Sequence, residues 1–296
     1  MGIVYLIFRI YAWFVSILPF SVIYLISDFH YFLIYHVIGY RRKVVYQNLR
    51  SAFPEKDKKE INKIARKFYR NLSDIVLEVL KIKNFSEKEQ DRRILFENFE
   101  IIEDLYKKGK SIFVAIGHCG NWEWMGPRLA RITRHHPYAI VKPLTDPFFE
   151  DYMNMLRTKS GYNNLIKFKQ AYRTLYKLKE QDNIVIIASD QTPTRDEINY
   201  WTNFMGQETG FFLGLEKMSK SLDYAVLFFD IVRERRGHYR VFIEEITREP
   251  AETGEYEITD KYVGMLESAI KARPDNWLWS HRRWKHKREQ TENHSN

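Results

Sequence analysis

From about residue 94 onward, short apolar runs alternate with amphipathic stretches, and no other feature constrains the fold as strongly. The runs are "SIFVAI" at 111–116, "YAIVK" at 138–142, "NIVIIAS" at 183–189, "YAVLFFDIV" at 224–232 and "YRVFIEEI" at 239–246. Helix-like stretches fall between most of them, including 150–160, 168–181 and 210–222. This order predicts an α/β domain built on a mostly parallel central sheet flanked by helices. In such sheets ligands sit beyond the carboxyl ends of strands. His118 and Asp190 each fall just after a strand-like run, where that rule places chemistry.

The chain before this region is different. Residues 3–39 hold only two formal charges, Arg9 and Asp28, with His30 and His36. Arg9 and Pro19 interrupt what would otherwise be a spanning stretch of about 20 apolar residues, and no small-residue cleavage site follows. Two readings apply: a buried helical hairpin, or a hydrophobic helical membrane anchor over residues 1–38. The anchor is preferred because Arg9 can snorkel, Trp13 and the tyrosines suit an interface, and Arg41, Arg42 and Lys43 follow directly. The remainder, 39–296, reads as one functional domain: a helical lead-in at 39–93, the α/β core at 94–273 and a basic, aromatic tail at 274–296. In the lead-in, Ile61, Ile64, Phe68, Leu72, Ile75 and Val79 recur at helical spacing after Pro54. A last helix starts near Thr259 or Asp260 and stops at Pro274.

Charge and cysteine content remove several classes. The net charge of +9 favours anionic partners. The single cysteine, Cys119, excludes an internal disulfide, dithiol chemistry and a cysteine-based zinc site. No metal-binding pattern is present, and no cofactor or metal is expected. A basic chain with an Arg/Trp-rich tail also reads as nucleic-acid-binding. That reading leaves the apolar N-terminus and the His118 loop unexplained, so no nucleic acid is expected.

The loop itself is "GHCGNWEW" at 117–124. Flanking glycines allow close approach of backbone and ligand. Glu123 is expected to accept from one ring nitrogen of His118, leaving the other basic and free to take a substrate proton. Asn121 reads either as a helix cap or as a substrate contact. Cys119 is a competing nucleophile, but adjacent side chains in a loop usually point apart.

These residues resemble the H-x4-D/E motif of the lysophospholipid acyltransferase superfamily, in the Gly-His-x-Gly-Asn-Trp-Glu form of the bacterial lipid A late acyltransferases. Four further blocks are similar to that family: "GYRRKVVYQNLRSAFPE" at 39–55, "VKPLTDPFFEDYMNMLR" at 141–157, "ASDQTP" at 188–193 and "PDNWLWSHRRWKHK" at 274–287. Cys119 stands where the family often has Phe, and Lys142 where it often has Arg.

The resemblance implies a glycerolipid acyltransferase-like fold and O-acyl transfer from a thioester to a hydroxyl of a lipid A precursor, or of another lysolipid or aminolipid. It implies His118 as general base with Glu123, and Arg157 as oxyanion donor. Asn121, Lys142, Asp190 and Gln191 are the expected substrate-binding residues. For Asp190, orienting acceptor hydroxyls, holding Arg157 and serving as a plain strand-end turn residue all stay open. The implied donor is acyl carrier protein or acyl-CoA. The implied setting is the cytoplasmic face of the bacterial inner membrane, with anionic lipid beside it. Arg128, Arg131, Arg134 and the Arg282–Arg288 tail are the expected basic docking surfaces, with Trp277, Trp279 and Trp284 at the interface.

Overall fold

The computed structural model describes residues 2–159 and 164–288. The end of the tail, 289–296, and residue 160 of the expected 150–160 helix lie outside them. Two apolar helices open the chain, α1 (Ile3–Ile17) and α2 (Phe20–Tyr31), with a π-helical continuation at Phe32–Val37. Leu18 and Pro19 break the first from the second, since proline cannot continue a helix. The lead-in is α3 (Arg42–Ala52), α4 (Lys58–Lys81) and α5 (Glu87–Arg93). Asp57 and Glu60 close a reciprocal capping box at the start of α4.

The core follows as β1 (Ile94–Glu97), α6 (Glu100–Lys107), β2 (Ile112–Ile116), α7 (Trp122–Ile132), β3 (His136–Val141), α8 (Pro147–Lys159), β4 (Asn164–Lys167), α9 (Ala171–Lys177) and β5 (Asn183–Ala188). A hairpin, β6 (Tyr200–Phe204) and β7 (Gln207–Phe211), precedes α10 (Gly214–Leu222), β8 (Ala225–Arg235), β9 (His238–Thr247) and α11 (Glu257–Ala272). Seven strands form one sheet in the order β1-β9-β8-β2-β5-β3-β4. Every pairing in it is parallel except β8 with β9. All five expected strands are present. β1, β4 and the hairpin were not expected, because their apolar runs are too short to show a period.

β2 lies at the centre and is buried along its whole length, which is why its sequence is uniformly apolar. Two apolar cores pack on the two faces of the sheet. One holds Phe113, Ala115, Val185 and Tyr262; the other holds Val114, Trp124, Ile184 and Leu227.

The N-terminal helices pack on α4 through buried polar contacts as well as apolar ones. Ser27 Oγ donates to Asp74 at 2.5 Å, and Lys81 Nζ donates to Ser16 O and Leu18 O, both at 2.7 Å. Tyr24 donates to the fully buried Glu78 at 2.9 Å, and Arg236 bridges Asp28 and Asp74. The outer faces stay apolar and exposed, with Ile7 60%, Ile10 59% and Leu25 72% accessible. Among the described residues, Phe20–Val37 is the one segment long and apolar enough to cross a membrane.

The tail departs from expectation. Trp277 and Trp279 are core residues, and Arg283 is buried with its guanidinium 4.4 Å from the Phe211 ring centroid. Tryptophan beside arginine reads the same in sequence whether it meets a bilayer or the protein's own interior. Here the hairpin, α3 and the His118 loop cover it. The Arg128–Arg134 surface is also altered, because Arg128 and Arg131 both pair with Asp91 on α5.

Candidate active site

The sheet register builds the site. β2 and β5 pair in parallel with Ile116 opposite Ala188. His118 and Asp190 each lie two residues beyond that pair, so they emerge side by side. His118 Nδ1 is 2.6 Å from Asp190 Oδ1, and the His118 backbone N–H donates to Asp190 Oδ2 at 2.8 Å. Trp277 donates its indole N–H to that same oxygen at 2.7 Å. The expectation assigned the histidine's partner to Glu123; here that place is held by Asp190. Glu123 instead meets Arg157, which donates Nε to Oε2 at 3.0 Å and Nη2 to Oε1.

The reason is local. Asn121 caps α7 by accepting from Trp124 N at 3.0 Å. Glu123 therefore sits in the first helical turn, facing α8, while the His118 ring stays at the strand end. Asn121 also donates to Glu78 at 2.8 Å and is 1% exposed. Its polar atoms serve the protein, and it is not part of the cavity wall, so the cap reading replaces the substrate contact. Asp190 is 2% exposed, and its two oxygens are engaged by His118 and Trp277. Gly120 holds φ +54°, and a Cβ there would lie 2.9 Å from Ile231 O; this glycine fits the loop against β8.

The tail closes the loop from behind. Leu278 N donates to His118 O at 3.1 Å, Gly120 N donates to Asn276 O at 3.1 Å, and Cys119 bridges to Trp277. Cys119 is buried, and burial pushes its thiol well up, which disfavours the nucleophilic thiolate.

A cavity of about 290 Å³ opens in front of the pair. His118, Glu123, Lys142, Arg157 and Gln191 line it together. Gln191 Nε2 lies 3.2 Å from His118 Nε2, and Trp122 packs edge-on against the ring at 4.9 Å between centroids. Lys142 is 3.7 Å from Glu197 across the mouth. Ile140, Leu144, Phe168, Ile186 and Phe212 supply an apolar wall suited to an acyl chain.

The electrostatics are directional. Burial disfavours a charged His118, but Asp190, and then Glu123, overrule it and raise its pKa above 6.5. Burial also opposes ionisation of Asp190; the His118 ring, the His118 N–H and Trp277 outweigh it and hold its carboxyl at about 2. An ionised Asp190 selects the tautomer with the proton on Nδ1, leaving Nε2 as the acceptor on the cavity side. Two contributors escaped the sequence reading. Trp277 was visible only as one of several tail tryptophans. Glu78 was visible only as a carboxylate amid the apolar face of α4.

Among the described residues, no group of His, Cys, Asp and Glu is arranged to hold a metal ion. No curated protein matches the chain. The family model described as "Bacterial lipid A biosynthesis acyltransferase" matches residues 2–286, nearly the whole length. The strand-end histidine, the apolar cavity and this match agree: the chain belongs to the bacterial lipid A biosynthesis acyltransferase family and is an acyltransferase.

Proposed function

We propose that the enzyme moves a fatty acyl chain from a thioester, carried on acyl carrier protein or coenzyme A, to a hydroxyl of a lipid A precursor. The observation that carries this reading is the His118–Asp190 hydrogen bond, which leaves Nε2 basic on the cavity side. His118 Nε2 takes the acceptor hydroxyl proton as the oxygen attacks the thioester carbonyl. A C–O bond forms, and the carbonyl oxygen becomes an oxyanion. Arg157, held by Glu123, stabilises that oxygen. The C–S bond then breaks, and the imidazolium returns its proton to the leaving thiolate. Asp190 fixes the tautomer and stabilises the imidazolium between the two transfers. General-base catalysis of this kind supplies on the order of 10²–10⁴-fold. No cofactor is needed for these steps.

The exposed apolar faces of α1 and α2 support seating on a membrane. Tyr5 and Phe8 of α1 pack on Phe148 and Phe149 of α8, with ring centroids 4.9 and 4.7 Å apart. The helix that carries Arg157 therefore lies beside the lipid-facing surface. Thioester donors are cytoplasmic, so the site faces the cytoplasm from the inner membrane.

The test is acyl transfer by the purified full chain, read by mass spectrometry. The donors are acyl carrier protein and coenzyme A thioesters; the acceptors are a lipid A precursor and a lysophospholipid. A mass increase of one acyl chain on the precursor supports the proposal. Transfer to the lysophospholipid alone reassigns the acceptor, and transfer from neither donor removes the reading.

A further inference from the structure

A second cavity, of about 750 Å³, shares the Thr192–Pro193 wall with the His118 cavity. Three segments distant in sequence meet there: 39–44, 192–194 and 281–285. Its lining carries Arg41, Arg42, Lys43, Arg282 and Lys285, and no carboxylate. No described Asp or Glu forms an ion pair with any of the five.

Hydrogen bonds tie the three segments together. Arg41 Nη1 donates to Ser280 O at 3.0 Å, and Asn48 Nδ2 donates to Trp279 O and His281 O at 2.9 and 2.7 Å. Thr192 N donates to His281 Nε2 at 2.9 Å, and Thr192 Oγ1 lies 2.7 Å from both Arg282 O and Arg283 O, with one hydroxyl proton to give. Burial holds His281 at about 4, so its ring stays a neutral acceptor for Thr192. Thus the two basic segments are fixed to the loop that begins with Asp190 and Gln191.

Cations gathered without counterions repel one another, and the arrangement is relieved by an anion. Arginine and lysine on several sides of one concave site suit phosphate oxygens, which accept from both. The two cavities share Thr192 and Pro193 as lining residues, and Gln191, the residue before them, touches His118. A ligand here is therefore within reach of a substrate in the catalytic cavity. We infer that this basic cavity binds the phosphate group of a substrate whose reacting end lies beside His118. The substrate class is an acyl donor or acceptor bearing a phosphate ester. This rests on acyl transfer being the reaction of the His118 cavity.

Two arms test it on the full chain, with the triple variant Lys43→Gln, Arg282→Gln, Lys285→Gln. The first needs no catalysis. Inorganic phosphate should raise the Tm of the unmodified enzyme above its value in chloride of equal ionic strength. It should raise that of the triple variant much less. Equal shifts in both proteins, or no shift in either, overturn the site.

The second arm assigns the source. KM is compared for a phosphorylated and a dephosphorylated acceptor, and for acyl-phosphopantetheine and acyl-pantetheine. The unmodified enzyme should prefer one phosphorylated partner on the order of tenfold, and the triple variant should lose that preference. A preference confined to the acceptor assigns the cavity to a lipid headgroup; one confined to the donor assigns it to the carrier arm. Preferences that survive the substitutions overturn the proposal. If the unmodified enzyme transfers no acyl chain, the acyltransferase reading of the catalytic cavity falls, and the Tm arm still decides whether phosphate binds.

Discussion

Trp277 donates its indole N–H to Asp190 Oδ2 at 2.7 Å, the oxygen that also accepts the His118 amide. A residue near the C-terminus thereby completes the shell of the carboxylate that orients the candidate base. The tail is part of the candidate site.

The first prediction concerns which carboxylate works with His118. Asp190→Asn should lower kcat by on the order of 10³–10⁴-fold, because the amide no longer fixes the tautomer or stabilises the imidazolium. His118→Ala should be as severe, and the double variant little worse than either alone, since the two act as one unit. Steady-state acyl transfer by folded variants measures this. An Asp190→Asn enzyme of near-normal kcat would return the orienting role to Glu123.

Arg157 and Glu123 should behave as a second unit. Arg157→Ala is expected to cost roughly 10²–10³-fold in kcat with a smaller change in KM, as for an oxyanion donor. Arg157→Lys should recover little, because an ammonium cannot reproduce the two-point contact with Glu123. If KM rises while kcat is unchanged, Arg157 is a binding residue.

The pH profile has a definite sign. A base must be unprotonated, so the rate should rise with pH through the pKa of His118, which lies above 6.5. Asp190→Asn removes the main group holding it up while burial still pulls it down, so the rising limb should move to lower pH. The same shifts act on stability. The raised His118 pKa contributes fully below 6.5 and is lost as pH rises through the folded value. The depressed Asp190 pKa contributes above 3.8 and is lost as pH falls towards about 2. A rising limb in Asp190→Asn that stays put would mean another group controls the profile.

Trp279 is fully buried beside Trp277, with ring centroids 4.7 Å apart. Trp279→Ala should destabilise the fold by about 3–5 kcal/mol and lower Tm by roughly 10 °C. A tail that served only as a membrane tether would leave Tm unchanged in detergent.

Membrane attachment should be separable from folding only at the outer surface. Ile7→Glu with Leu25→Glu alters two exposed side chains and should shift protein into the soluble fraction, with stability changed by about 0.5 kcal/mol or less per site. Deleting residues 1–38 should instead compromise folding. It strips Asp74, Glu78 and Lys81 of buried partners. Recovery of a soluble, thermally stable deletion product would contradict this account.

Much of this protein was legible without tertiary information. Alternating periods of hydrophobicity marked the α/β core, because a strand or helix must bury one face whatever covers it. The strand ends after "SIFVAI" and "NIVIIAS" marked His118 and Asp190 as candidate site residues, and the motif blocks marked the family. What covers each face was not legible. Spacing along the chain suggested that His118 and Glu123 form the pair, since they are five residues apart. A helix cap at Asn121 turned Glu123 towards α8, and the parallel register of β2 with β5 carried Asp190 across 72 residues of sequence to the imidazole. The tail shows the same limit. Its tryptophans and arginines predict an amphipathic contact, but only packing decides whether that contact is with lipid or with the loop that carries His118. Local pattern encodes which side chains avoid water; the identity of their neighbours arises from long-range pairing, which local pattern does not carry.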